Sequence, residues 1–204
     1  MPAQLYRELG RLGLNTGASG NVSVRTATGM RITPSGVTAE TATEDTLVEM
    51  GLDGPEPGQN PSSEWAMHAA IYRSAPEAGC VVHTHSDACT ALSCLGEGLP
   101  AFHYMVASFG GDDVPCAPYV TFGTTDLACV VALAMEGRSA CLLANHGMTV
   151  HGPDRAAALG AAVRLETLAR QYLLARGAGR PVILTEAQMD AARARFRTYG
   201  RAAR

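Results

Sequence analysis

Residues 21–33 read NVSVRTATGMRIT. Two short runs carrying valine and isoleucine flank a turn that ends in Gly29, the pattern of an antiparallel hairpin. Outward from it the chain alternates between β-like runs and longer helical patterns. The other β-like runs are CVVHTH (80–85), YVTF (119–122), ACLLANHG (140–147) and MTVHG (148–152). Helical spacing appears in 63–76 (Trp65, Ala69 and Tyr72 aligned, ending at Pro76) and in 124–137 (Leu127, Val130, Val131, Ala134 and Met135). It appears again in 154–177, where Leu159, Val163, Tyr172 and Leu173 are expected to be buried, and in 185–200. The last segment opens with a Thr185/Gln188 capping box and aligns Met189, Phe196 and Tyr199. Interleaved elements with a hairpin predict an α/β fold whose sheet has antiparallel parts.

The chain has 204 residues, enough for one well-cored domain spanning 1–204. With 47% hydrophobic and 17% charged residues it reads as an ordinary folded enzyme. A net charge of −3 without an Arg run gives no track for nucleic acid, and no apolar stretch approaches a membrane span. The start MPAQLYRELGRLG lacks a secretion signal, so a cytoplasmic address is expected. The six cysteines (80, 89, 94, 116, 129 and 141) form no CxxC pair and are expected to be reduced and buried. The stretch 51–61, GLDGPEPGQNP, reads as an exposed loop.

Chemistry gathers around CVVHTH. Residues two apart on a strand share a face, so His83 and His85 point the same way and can reach one ion. His146, at the end of an apolar run before Gly147, is the candidate third ligand; otherwise it is a turn histidine bonded to its own loop. Glu64 follows Ser62-Ser63 at a helix start, where either serine can cap and the dipole favours a carboxylate. That placement also suits a glutamate with no further duty. The serines and free N–H groups there make an anion seat. GASGNVS, with Gly17, Gly20 and Asn21, and ITPSGV, with Ser35 and Gly36, are small-residue turns of the same character. Three such turns near a candidate metal site point to a phosphorylated substrate. His68 is expected to be a packed or surface histidine, His103 a structural one, and His151 part of a turn.

Taken together, TGASGNVSVR, ITPSG, PSSEW, VVHTHS, HYMVASFGGDDVPCAPYVTFGT and NHG resemble the class II aldolase/adducin family, in order and across about residues 13–199. Within it they look most like the branch that cleaves L-fuculose 1-phosphate. The resemblance implies a three-layer α/β/α fold with a central, largely antiparallel mixed sheet. It implies one Zn²⁺ per chain on His83, His85 and His146, with Glu64 as acid/base that also touches the metal before substrate arrives. Gly20-Asn21, Ser35-Gly36 and Ser62-Ser63 match phosphate-holding turns. Tyr104 matches a proton donor to the aldehyde oxygen, and Tyr199 a tail tyrosine that closes the site. The family's sites lie between subunits of a homotetramer, so both tyrosines would serve a neighbour. The implied reaction is cleavage of a ketose 1-phosphate to dihydroxyacetone phosphate and a short aldehyde, for which Glu64 needs a raised pKa. Lysine is absent, which excludes a Schiff-base aldolase. Other activities in the family are a sugar-acid phosphate decarboxylase, a pentulose-5-phosphate 4-epimerase and a methylthioribulose-1-phosphate dehydratase. The epimerases carry aspartate where Glu64 stands. A non-catalytic adducin-like module would lack the full histidine set. Ala18 stands where the resemblance leads one to expect threonine, and the first helix is expected to be shortened.

Overall fold

In the computed structural model the hairpin of 21–33 forms, with Ser23 opposite Ile32, Val24 opposite Arg31 and Arg25 opposite Met30. The structure describes residues 1–198. In chain order the elements are α1 (Pro2–Arg11), β1 (Asn21–Arg25), β2 (Met30–Ile32), β3 (Val48–Met50), α2 (Trp65–Ser74), β4 (Cys80–Thr84) and α3 (Asp87–Ser93). There follow β5 (Cys116–Ala117), α4 (Thr125–Ala134), β6 (Ala140–Leu143), β7 (Gly147–Gly152), α5 (Arg155–Ala178) and α6 (Glu186–Phe196). Short 3-10 turns cover Glu44–Thr46 and Tyr104–Phe109.

The strands make one sheet in the order β3-β2-β1-β4-β7-β6-β5, and every pairing is antiparallel except β5 with β6. Alternation along β4 sorts its side chains into two cores. Cys80 and Val82 join the apolar cluster formed with α1, α3 and α5, whereas Val81 joins the one formed with α2 and α4. Helices therefore cover both faces, the expected three-layer arrangement. His83 continues the Val81 face, which directs it toward α2.

Helix α5 is held by a stripe of Ala158, Ala161, Ala162, Leu165, Leu168, Ala169 and Tyr172. Its alanines admit close approach to the sheet, and each fully buried leucine contributes roughly 1.5–3 kcal/mol. Val163, expected inside, lies off this stripe and is exposed. Glu166 of α5 accepts from the N–H groups of Ala88 and Cys89, at 2.9 Å each, and so caps the first turn of α3.

Other expectations are corrected. YVTF is not a strand: Pro118 has no N–H for a ladder, and the sheet's strand ends before it, at Ala117. His151 lies inside β7 and is buried rather than in a turn. Cys80, Cys89 and Cys141 are buried as expected, but Cys94 and Cys129 are exposed, and all six are free. Among the described residues no helix is long and apolar enough to cross a membrane.

Candidate metal and catalytic site

His83, at the end of β4, and His85, just beyond it, meet His146 from the neighbouring β6–β7 connection. Leu143 pairs with Gly147, so Ala144-Asn145-His146 is a three-residue hairpin loop. Asn145 adopts the left-handed conformation such a loop needs (φ 54°). The apolar run therefore stops at Leu143, before the histidine. Gly147 is required by contact: a Cβ there would stand 2.3 Å from Thr84 O and 3.2 Å from His85 Cδ2. The three rings sit pairwise at centroid distances of 4.8–4.9 Å and tilt 73–76° to one another. His83 Nδ1 donates to the Met148 carbonyl at 2.9 Å, which leaves Nε2 free to face the cluster.

Glu64 completes the group. It is itself the N-cap residue of α2, in place of either serine, and its side chain makes no cap bond. Ser62 Oγ instead accepts from the Glu64 N–H at 3.3 Å. The carboxylate turns inward, with Oε2 3.1 Å from His83 Nε2 and Oε1 3.4 Å from His146 Nε2. Oε2 also accepts from Asn21 Nδ2 at 2.9 Å. Donor atoms of Glu64, His83, His85 and His146 all lie within 4.8 Å of one another.

Burial works against charge throughout the site, and neighbours decide the outcome. For Glu64, burial pushes the pKa up, but His83, His146 and the Asn21 amide more than offset it and hold the carboxyl below its usual range. The raised value expected from sequence is thus reversed: the carboxyl is held ionised. Burial lowers His83, and the adjacent Glu64 carboxylate more than restores it, leaving its pKa raised. Desolvation and the neighbouring His83 hold His85 and His146 down to about 4. Desolvation holds His68 down to about 3. Three imidazoles beside a carboxylate are the donor set of a borderline divalent ion, which would displace any proton from His83. Glu64 Oε1, buried without a hydrogen-bond partner among the described residues, is a polar atom such an ion would satisfy.

A cavity of about 330 Å³ opens beside this cluster. Gly20, Asn21, Ser35, Gly36, Ser62 and Ser63 all line it, as do Glu64, His85 and His146. The second and third turns are tied together by a bridge between Pro34 and Pro61 and by Ser62 N donating to Thr33 O at 2.9 Å. Gly20 sits at φ +71°, where a Cβ would stand 2.2 Å from Asn15 Oδ1. The Asn21 carboxamide faces Glu64 and His68. Tyr104 does not line this cavity; it is exposed, stacks between His103 and Phe196, and lines a separate groove along α5. Tyr199 lies outside the described residues.

Several site residues escape sequence reading. Tyr119, Val120 and Phe122 form an apolar wall of the cavity after being read as a strand. His68 proves fully buried and bonded to Asn21 and Ser23, for which its place on the Trp65 helix gave no signal beyond packing. Asn145 was legible only as part of the NHG run.

The family "Class II Aldolase and Adducin N-terminal domain" matches residues 2–173. The L-fuculose phosphate aldolase of Escherichia coli strain K12 is 46% identical over 195 residues, 95% of this chain and 91% of that protein. The 5-methylthioribulose-1-phosphate/5-deoxyribulose-1-phosphate aldolase of Rhodospirillum rubrum is 45% identical over 195 residues, 95% of this chain and 88% of that protein. A solved L-fuculose 1-phosphate aldolase superposes with a TM-score of 0.91 at 38% identity, covering 96% of this chain and 94% of that one. A seven-stranded sheet, a Glu/His₃ cluster and these matches lead to one conclusion: the chain belongs to the class II aldolase/adducin family.

Proposed function

We propose that the protein is a Zn²⁺-dependent aldolase of the cell interior that reversibly cleaves a ketose 1-phosphate to dihydroxyacetone phosphate and a short aldehyde. The observation that carries this is the single cavity shared by the Glu64/His₃ cluster and three small-residue turns. Zn²⁺ held by His83, His85 and His146 would supply Lewis-acid stabilisation of negative charge developing on the substrate's oxygens. Glu64, held ionised, takes the proton from the carbon next to the carbonyl in synthesis and returns it in cleavage. The turns at Gly20-Asn21, Ser35-Gly36 and Ser62-Ser63 hold the phosphate, converting remote binding into orientation at Glu64.

Tyr104 gives a proton to the aldehyde oxygen as the new carbon–carbon bond forms, and takes it back in cleavage. Its place outside its own chain's cavity supports an assembly, read as a homotetramer, in which it serves an adjacent copy. Tyr199 would close the same site.

The two groups of relatives, at 46% and 45% identity, suggest different aldehydes. Cleavage between C3 and C4 of L-fuculose 1-phosphate yields lactaldehyde. The same cut in 5-deoxyribulose or 5-methylthioribulose 1-phosphate yields acetaldehyde or methylthioacetaldehyde. The wall of Tyr119, Val120 and Phe122 suits an aldehyde with an apolar tail, which all three possess. The deciding experiment offers dihydroxyacetone phosphate with each aldehyde and follows products by NMR, with and without a strong chelator. Product with at least one aldehyde, abolished by the chelator and restored by Zn²⁺, is expected. No product from any aldehyde would reject the reading.

A further inference from the structure

Three polar side chains behind Glu64 have no part in the aldol chemistry: His68, Ser23 and Tyr72, at 0%, 0% and 1% exposure. They form a line that ends on the carboxylate, and the donors along it can be assigned. A carboxylate only accepts, so the Asn21 group 2.9 Å from Glu64 Oε2 is the NH₂. The Asn21 carbonyl therefore faces His68 Nε2 at 2.6 Å, and that nitrogen carries the hydrogen. The imidazole is fully buried and hydrogen-bonds no carboxylate, so it is neutral, and Nδ1 accepts from the Ser23 hydroxyl at 2.7 Å. Ser23 Oγ is left to accept from the Tyr72 hydroxyl at 2.8 Å. Every bond runs toward Glu64.

We propose that His68, held by Ser23 and Tyr72, is a positioning residue that locks the Asn21 amide toward Glu64 Oε2 and so reserves Oε1 as the oxygen that exchanges the proton with substrate. This rests on the reading of Glu64 as the acid/base. With Oε2 bound to Asn21, Oε1 is the oxygen with no hydrogen bond among the described residues, free to meet an ion before substrate arrives and to exchange the proton afterwards. Without the His68 N–H, the Glu64 carboxylate alone favours this orientation, the Asn21 carbonyl loses its donor, and the amide is freer to turn. A turned amide would aim its carbonyl oxygen at the carboxylate, repel it and misplace the base.

The test uses metal-loaded enzyme in two arms. In the first, ¹⁵N-histidine NMR reads the His68 tautomer from pH 5 to 8. Hydrogen on Nε2 throughout is expected; hydrogen on Nδ1 overturns the proposal whatever the kinetics show. In the second, deuterium exchange into dihydroxyacetone phosphate is measured for the wild type, His68→Leu, His68→Gln and Ser23→Ala. His68→Leu is expected to lower kcat about 10–100-fold, with metal content and KM little changed. His68→Gln, whose amide presents N–H to Asn21 and oxygen to Ser23, should recover most of the rate. Ser23→Ala, the milder change, should lower kcat while its NMR shows His68 gaining the Nδ1–H form. Equal impairment of the Leu and Gln variants, or wild-type kcat in Ser23→Ala, overturns the proposal alone. No exchange in the wild type overturns the aldolase reading itself.

Discussion

Gly147 shows how much of the site depends on one missing methyl group. The β6–β7 turn that carries His146 approaches β4 so closely that a Cβ would meet Thr84 O at 2.3 Å, a backbone atom that cannot move aside cheaply. Gly147→Ala is therefore expected to push the turn away from β4, lowering stability by about 1–3 kcal/mol and displacing His146. Urea denaturation together with metal analysis checks both effects. His68 makes a second prediction at this scale. Its pKa falls from the ordinary 6.5 to about 3 in the folded chain, so unfolding takes up a proton between those values. The stability from its neutral ring is fully present above about pH 6.5 and is lost as pH falls toward 3, by about 1.4 kcal/mol per unit. Unfolding free energies of the wild type and His68→Gln, measured between pH 6 and 4, should differ in slope by about one proton.

At the scale of elements, the corner between β4 and α3 is fixed from outside by Glu166, whose two carboxylate oxygens each take one N–H of the first turn of α3. Glu166→Ala leaves both donors unpaired and is expected to cost about 1.5–3 kcal/mol, seen as a lower midpoint in urea. His85 stands just before that turn, so the variant should also bind metal more weakly. Sequence reading reached β4 and its histidines because a period of two is unambiguous on a strand. It reached the β1–β2 hairpin for the same reason. It misplaced residues 119–122, where valine, tyrosine and phenylalanine imitate a strand although Pro118 cannot feed a ladder. It left Glu64 open because a helix start stabilises a carboxylate whether the side chain faces water or turns inward, as it does here. The Tyr72–Ser23–His68–Asn21 line was out of reach, since its members come from β1 and α2 and meet only when those elements pack.

At the scale of the molecule, the cavity collects His85, His146, Glu64 and three turns from one chain but not Tyr104, which lies against the groove along α5. If active assemblies place Tyr104 of one copy at the cavity of the next, two inactive variants will rescue each other. Mixing Glu64→Gln and Tyr104→Phe chains, dissociated and reassembled together, should restore intact sites at about a quarter of positions for equal random mixing in a ring. Activity measured before and after mixing decides it; no recovery from well-assembled mixtures would place each site within a single chain.

His83 is fixed by hydrogen-bonded strand register, opposite Thr149 and beside the Thr84–Met148 pair at the middle of the seven-stranded sheet, and His85 and His146 directly adjoin strands of the same ladder. Chelation is thus a property the backbone ladder confers before any ion arrives. Stripping and reloading should behave as a reversible exchange on a standing scaffold, with the amides of β4 and β7 remaining among the slowest to trade hydrogen for deuterium in both forms.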